Sequence, residues 1–277
     1  MKQSTLSTRD SMLALVLALS LTATAGASAQ EPASDSSPLT RGTTALEEGR
    51  SDQALGDFQA VLEDSPDNRE ALIGLATALA RLGRNEEAKA RYQRAAELDP
   101  DDAAPRIGVA DVFLGEGSLD QALANFQAAR QLDPMSERAR LGEAQALHAL
   151  GEHRQLLERL EEAHEALPTS GLVAYGLAWV LAASPDASVR DGQRALDLAE
   201  GVYKSHQSLQ NAELVAEALG ELGRCEKAAQ WLRGMRDSAL EDGAPDATVE
   251  RLRSGVQRFE QGPPCRAEAE ASVAADG

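Results

Sequence analysis

Four histidines and two cysteines are the residues of this 277-residue chain best suited to metal or redox chemistry. His148 and His153 are five apart, a spacing that puts two side chains on different faces of a helix, where four would align them. His164 and His206 stand apart from both. Cys225 and Cys265 form no CxxC pair, so a redox dithiol is not indicated. The chain holds no GxSxG elbow, no phosphate-binding P-loop, no GxGxxG after a strand and no HExxH. Carboxylates are abundant, but a helical surface this rich in charge pairs them by chance. This set of residues predicts no catalytic centre, no metal site and no cofactor. Tyr175 and Trp179, one helical turn apart, offer either an aromatic anchor for a ligand or a piece of core.

The elements that must carry these residues announce themselves by period. Pro66, Pro100, Pro134 and Pro168 stand 34 residues apart, and Gly49, Gly83, Gly117 and Gly151 keep the same step. A fixed period of this size is the mark of a repeat array. Between each glycine and proline comes a small or apolar residue (Ala54, Ala88, Ala122, Leu156), then a bulky one four later (Phe58, Tyr92, Phe126, Leu160), then Val61, Ala95, Ala129 and Ala163. Spacings of four and three set these on one helical face. Leu75, Ala76 and Leu79, and then Val109, Ala110 and Phe113, form a second such face before the glycine. Each repeat is therefore expected to be two helices. The glycine ends the first as a left-handed cap, and the proline follows the second, which it cannot continue. Asn85 before Glu86 and Glu87, and Ser118 with Gln121, are expected to cap second helices.

These residues resemble the tetratricopeptide repeat, a 34-residue helix-turn-helix with small residues where helices cross, an aromatic in the second helix and a terminal proline. The clearest copies are 69–102 and 103–136. Those at 35–68 and 137–170 are weaker, because Arg41 and Glu143 stand where leucine is usual. The resemblance implies an all-α, right-handed superhelical solenoid with a C-terminal capping helix. It also implies a groove lined by the first helices, with the fifth residue of each pointing into it: Leu39, Ile73, Ile107, Leu141 and Tyr175. Four residues on come Thr43, Thr77, Asp111, Gln145 and Trp179. An apolar stripe of this kind is either a docking surface for an extended or helical peptide or packing between first helices. The basic clamp with which chaperone-binding relatives hold a C-terminal carboxylate is missing at Leu39, Thr43, Ile73, Thr77, Ile107 and Asp111.

Beyond Pro168 the period stutters. Gly223 lies 72 residues after Gly151 where two repeats give 68, so the fifth repeat carries four extra residues, placed at Ser184–Gly192. They are expected to be a surface insertion or part of a binding face. The expected division is repeats one to five over 39–208, repeat six over 209–245, a capping helix over 246–265 with Val249, Leu252 and Val256 on one stripe, and a disordered tail over 266–277. Lys2 and Arg9, the apolar run Met12–Leu21 and Ala27-Ser28-Ala29 predict a signal peptide over 1–29, followed by a flexible leader over 30–38. The destination expected is the periplasm, with the extracellular space as the alternative and no membrane insertion after cleavage. In an exported chain, the two cysteines invite a Cys225–Cys265 disulfide. It would close a loop of about 41 residues, and two unpaired thiols are the alternative.

Formal net charge is −18; losing Lys2, Arg9 and Asp10 removes +2 and −1 and leaves −19. That argues against nucleic acid and anionic membranes as partners. Aromatics are 3% of the chain, few for a sandwich or barrel. The expected function is a non-enzymatic scaffold or adaptor that binds a segment of a partner protein in its groove. The alternative is a binder of a small molecule or glycan that stacks on Tyr175 and Trp179.

Overall fold

The structure, a computed structural model, describes residues 37–261. The expected signal peptide, most of the leader, Cys265 and the tail lie outside the described residues. Within them are thirteen α-helices, one 3-10 turn and no strand. The chain divides into two compact units, 1–151 and 152–277, which are described separately.

The N-terminal unit comprises α1 (Pro38–Glu47), α2 (Ser51–Asp64), α3 (Arg69–Arg81), α4 (Asn85–Leu98), α5 (Ala104–Gly115), α6 (Leu119–Leu132) and α7 (Glu137–Leu150). Each helix packs on the next, and α1, α3, α5 and α7 also pack side by side as a row of first helices. The C-terminal unit comprises α8 (His153–Ala166), α9 (Gly171–Ala183), the 3-10 turn at Ala187–Val189, α10 (Gly192–Ser205), α11 (Leu209–Glu221), α12 (Cys225–Glu241) and α13 (Asp246–Glu260).

The punctuation falls where the period puts it. Gly83 has φ +76°, in the left-handed region that a side chain disfavours. This lets Arg84 N–H reach back to the Leu79 carbonyl at 2.9 Å and close the helix end. Pro66, Pro100 and Pro134 each come two residues after their second helix ends.

The caps differ from expectation. Asn85 is the first residue of α4 rather than its cap, and its amide donates to Glu116 Oε1 at 3.0 Å. Ser118 flanks α6 but makes no side-chain cap bond. Side-chain caps sit mainly on first helices instead: Asn68 accepts from Ala71 N–H, Ser136 from Ala139 N–H and Ser170 from Val173 N–H; the second helix α10, which follows the inserted loop rather than a glycine turn, is capped by Asp191 accepting from Arg194 N–H. The physical reason is the glycine turn. It drives straight into the second helix with the flanking residue at ψ 59° or 66°, short of the ψ above 100° at the side-chain-capped ends of the first helices. The expected leader also ends sooner than Pro38, which already opens α1 with Ser37 as its cap.

The core repeats as the helices do. Ala54, Ala88 and Ala122 are fully buried where helices cross, and Phe58, Tyr92 and Phe126 are buried beside them. A second glycine row, Gly74, Gly108, Gly142 and Gly176, also keeps the 34-residue step and escaped the reading of the sequence. A Cβ on Gly108 would stand 2.2 Å from Tyr92 Cζ, and one on Gly74 2.3 Å from Phe58 Cζ. The bare backbone of α3, α5 and α7 is thus the floor on which Phe58, Tyr92 and Phe126 lie.

Candidate functional site

In the N-terminal unit, Leu39, Ile73 and Ile107 are half-buried along the row α1, α3, α5, where they pack in part against the core. Leu141 on α7 is 1% exposed and belongs to the interior. Thr43 and Thr77 turn their hydroxyls onto their own helix, donating to the carbonyls of Leu39 and Ile73 at 3.0 and 2.9 Å. Thr77 Oγ1 also meets the Tyr92 hydroxyl at 2.9 Å. Asp111 is ion-paired with Arg138, which joins α5 to α7. Burial pushes the Asp111 carboxyl up, while the Arg138 guanidinium pulls it back. Gln145 is half-buried on α7. The row thus presents half-exposed apolar groups beside Thr43, Thr77 and Asp111, whose side chains already have partners within the protein.

The two outliers of the repeat pattern each found a partner. Arg41 donates twice to Asp57 Oδ1, at 3.0 and 2.7 Å. Glu143 is buried and accepts from Arg130 and Gln127. Neither pairing follows from the period, because the partners lie on a neighbouring helix at no fixed step.

In the C-terminal unit, Tyr175 and Trp179 are 3% and 4% exposed on α9, which packs directly on α11. Burial pushes the Tyr175 hydroxyl far up, and the Glu213 carboxylate adds to it. Rings this enclosed offer no open face on which a sugar stacks. The corresponding positions of α11 are acidic. Glu213, Glu217 and Glu221, one turn apart, hold Arg251, Arg258 and Arg190, the last at 3.3 Å. Arg251 and Arg258 come from α13. The extra residues at Ser184–Gly192 supply Arg190, which also donates to the Ser184 carbonyl at 2.8 Å. Asp191 N–H bonds the Leu181 carbonyl at 2.9 Å. The insertion is a built loop that ties α9 to α11.

Sequence reasoning missed a further aromatic pair, Tyr203 on α10 and Trp231 on α12. Their rings meet edge to face at 5.1 Å, and Trp231 Nε1 donates to the Ala212 carbonyl at 2.9 Å. Aromatics at the spacing of two consecutive second helices were the available signal. Among the described residues, no group of three His, Cys, Asp or Glu side chains is placed to hold a metal ion, and no helix is long and apolar enough to cross a membrane.

Fold and site together define an all-α helical-repeat protein of the kind that recognises other molecules through helix faces. Two models of the tetratricopeptide repeat match the sequence, over residues 45–110 and 110–155, so this stretch of the chain consists of tetratricopeptide repeats. No curated protein matches it in sequence. Among solved structures, it resembles PilF of Pseudomonas aeruginosa (TM-score 0.61, 15% identity, 90% of this chain and 99% of that one). It also resembles yeast Tom70 (0.60, 16%, 81% of this chain but 46% of that one). A thermophilic repeat protein of Thermus thermophilus is similar too (0.52, 23%, 66% and 97%). Likenesses at these identities concern the fold.

Proposed function

We propose that the protein is a non-enzymatic scaffold that binds a segment of a partner polypeptide on the first-helix row of its N-terminal unit. The observation behind this reading is the half-exposed apolar row of Leu39, Ile73 and Ile107, beside which Thr43, Thr77 and Asp111 already have partners within the protein. Such a row takes apolar anchors from an extended or helical segment without stranding a buried polar group. The acidic surface favours a segment whose flanks are basic. The test uses Ile73→Asp with Ile107→Asp. Expected are an unchanged helical circular dichroism spectrum and loss of the polypeptide that co-purifies with wild type. Unchanged co-purification would sink the reading.

The export pattern Lys2–Ala29 supports a periplasmic place of work. Sequencing the amino terminus of the protein from a periplasmic fraction checks it. Gln30 as first residue is expected, and an intact Met1 in the cytosol would end it. In the same oxidising setting, a Cys225–Cys265 bridge would pin the end of α13 to α12.

A further inference from the structure

We infer that the cleft between α4 and α6 binds a tryptophan side chain of a partner polypeptide, carried on an extended segment with a basic residue two positions to either side. A cleft of about 760 Å³ opens there over Val109 and Phe113 of α5, both half-buried. The chain contains a second junction of the same kind in which the space is filled. When the left-handed turns at Gly117 and Gly223 are aligned, Val109 corresponds to Val215, Phe113 to Leu219, Arg106 to Ala212 and Asn125 to Trp231. When the ends of α4 and α10 are aligned, at Leu98 and Ser205, Ala96 corresponds to Tyr203. Between α10 and α12 the two rings meet edge to face at 5.1 Å, and the indole N–H donates to the Ala212 carbonyl at 2.9 Å. Between α4 and α6 both rings are missing, and Ala96 and Asn125 line the cleft in their place. Other second helices carry Leu62, Arg130 and His164 where α4 has Ala96, so the smallest side chain at this place stands where the cleft opens.

The ring has to come from another molecule. The four Phe, two Trp and three Tyr of the sequence all lie within 58–259, and none of them is exposed. Neither a second copy nor the residues outside 37–261 therefore has a ring to insert. An indole suits the space because Trp231 fills its counterpart, and the carbonyl equivalent to that of Ala212 belongs to Arg106, which lines the cleft. Charge sets what flanks the indole. Glu86 and Glu116 surround Lys89, and Asp67 and Glu97 surround Arg94, so carboxylates outnumber cations even with Arg106 counted. Glu86 and Glu97 are 86% and 54% exposed, and ion pairs so exposed exchange partners at little cost. The two stand eleven residues apart on α4, about 16 Å along its axis. Basic residues two positions either side of a tryptophan share its face of an extended segment and lie about 13 Å apart, within reach of both carboxylates. A free aromatic amine reaches only one of them, which favours a polypeptide. Ile107 of the first-helix row lies on α5 but does not line this cleft, which is a separate surface.

The probe is the end-capped peptide Lys-Ala-Trp-Ala-Lys, titrated with the full chain and followed by the shift and broadening of its own indole NMR signals. Expected is saturable binding with a dissociation constant on the order of 1 mM, as befits one anchor. Ala96→Tyr with Asn125→Trp copies the filled junction and should abolish binding, with a thermal melt at or above that of wild type. Ala96→Leu installs the residue of the first repeat and should weaken binding roughly tenfold, with a wild-type melt; it decides the matter if the double variant does not fold. A peptide with alanine for tryptophan should not bind. Glutamate for both lysines, or tryptamine in place of the peptide, should bind more weakly. The inference is overturned if wild type shows no saturable binding, if the alanine peptide, the glutamate peptide or tryptamine binds as tightly as the probe, or if a folded filled variant keeps wild-type affinity.

Discussion

Arg130 Nε lies 2.7 Å from Glu143 Oε2, and Gln127 Nε2 lies 3.3 Å from the other carboxylate oxygen. Glu143 occupies the position that Leu75 fills in the second repeat, and its side chain is 2% exposed against 26% for Arg130. A buried carboxylate is tolerated only while paired. Arg130→Ala is expected to cost roughly 3 kcal/mol, the low end for breaking a buried pair, since the arginine keeps some water. Replacing both residues by leucine should be neutral or stabilising, because a hydrocarbon contact needs no desolvation. Urea unfolding of the three proteins checks this. A harmless Arg130→Ala would show that the pair contributes nothing.

The glycine floor gives an opposite-sign test of helix propensity. Alanine in place of a mid-helix glycine normally stabilises by about 1 kcal/mol. At Gly108 the added methyl would collide with Tyr92 at 2.2 Å, so Gly108→Ala should instead cost about 1–3 kcal/mol through overpacking. At Gly176 the neighbour is Leu160 Cδ2 at 3.3 Å, and a leucine can turn aside. Gly176→Ala should be close to neutral. Equal thermal shifts in the two variants would refute the account.

Asp111 sets a pH dependence. Burial raises its carboxyl above the ordinary value of 3.8, and Arg138 opposes that rise. For an acid whose folded value is raised, the stabilising contribution is present below the unfolded value and lost as pH climbs through the folded one. Relative to wild type, Asp111→Asn should therefore gain stability between mildly acidic and neutral pH. Carboxyl-detected NMR should place the Asp111 midpoint above 3.8, and higher still in Arg138→Ala. A midpoint below the ordinary value contradicts the burial argument.

Cys225 is the first residue of α12, buried, with its sulfur 3.6 Å from the Gly223 carbonyl oxygen. It lines an opening bounded by Phe259 and Glu260 at the end of α13, five residues before Cys265 in sequence. Thiol titration of the denatured chain should find none without reductant and two with it. Reduction should lower stability by up to about 4 kcal/mol in the chain-entropy account. Two thiols without reductant would refute the bridge.

The period made the helices legible because packing demands recur with each hairpin: Ala88 where helices cross, Gly83 where the chain reverses, Pro100 where it exits. What lay outside the period was not legible. Glu143 looked like a weak match, yet its partner Arg130 sits thirteen residues back in sequence, a separation that no rule of spacing picks out. Tyr175 and Trp179 looked like a ligand anchor because their types suit one. They are buried because α9 packs directly on α11, a contact that their spacing within α9 does not reveal.

A stack of hairpins is open at its end, and the surface that would accept one more hairpin would equally accept the first hairpin of another copy. α13 buries Val249, Leu252, Val256 and Phe259 against the last repeat, and its outer side carries the exposed Glu250, Arg253, Ser254 and Gln257. Arg251 and Arg258 pair with Glu213 and Glu217, and Arg253 with Glu250. α13 thus covers the apolar face of the last hairpin with a polar outer side, which weakens the drive for another hairpin to stack there.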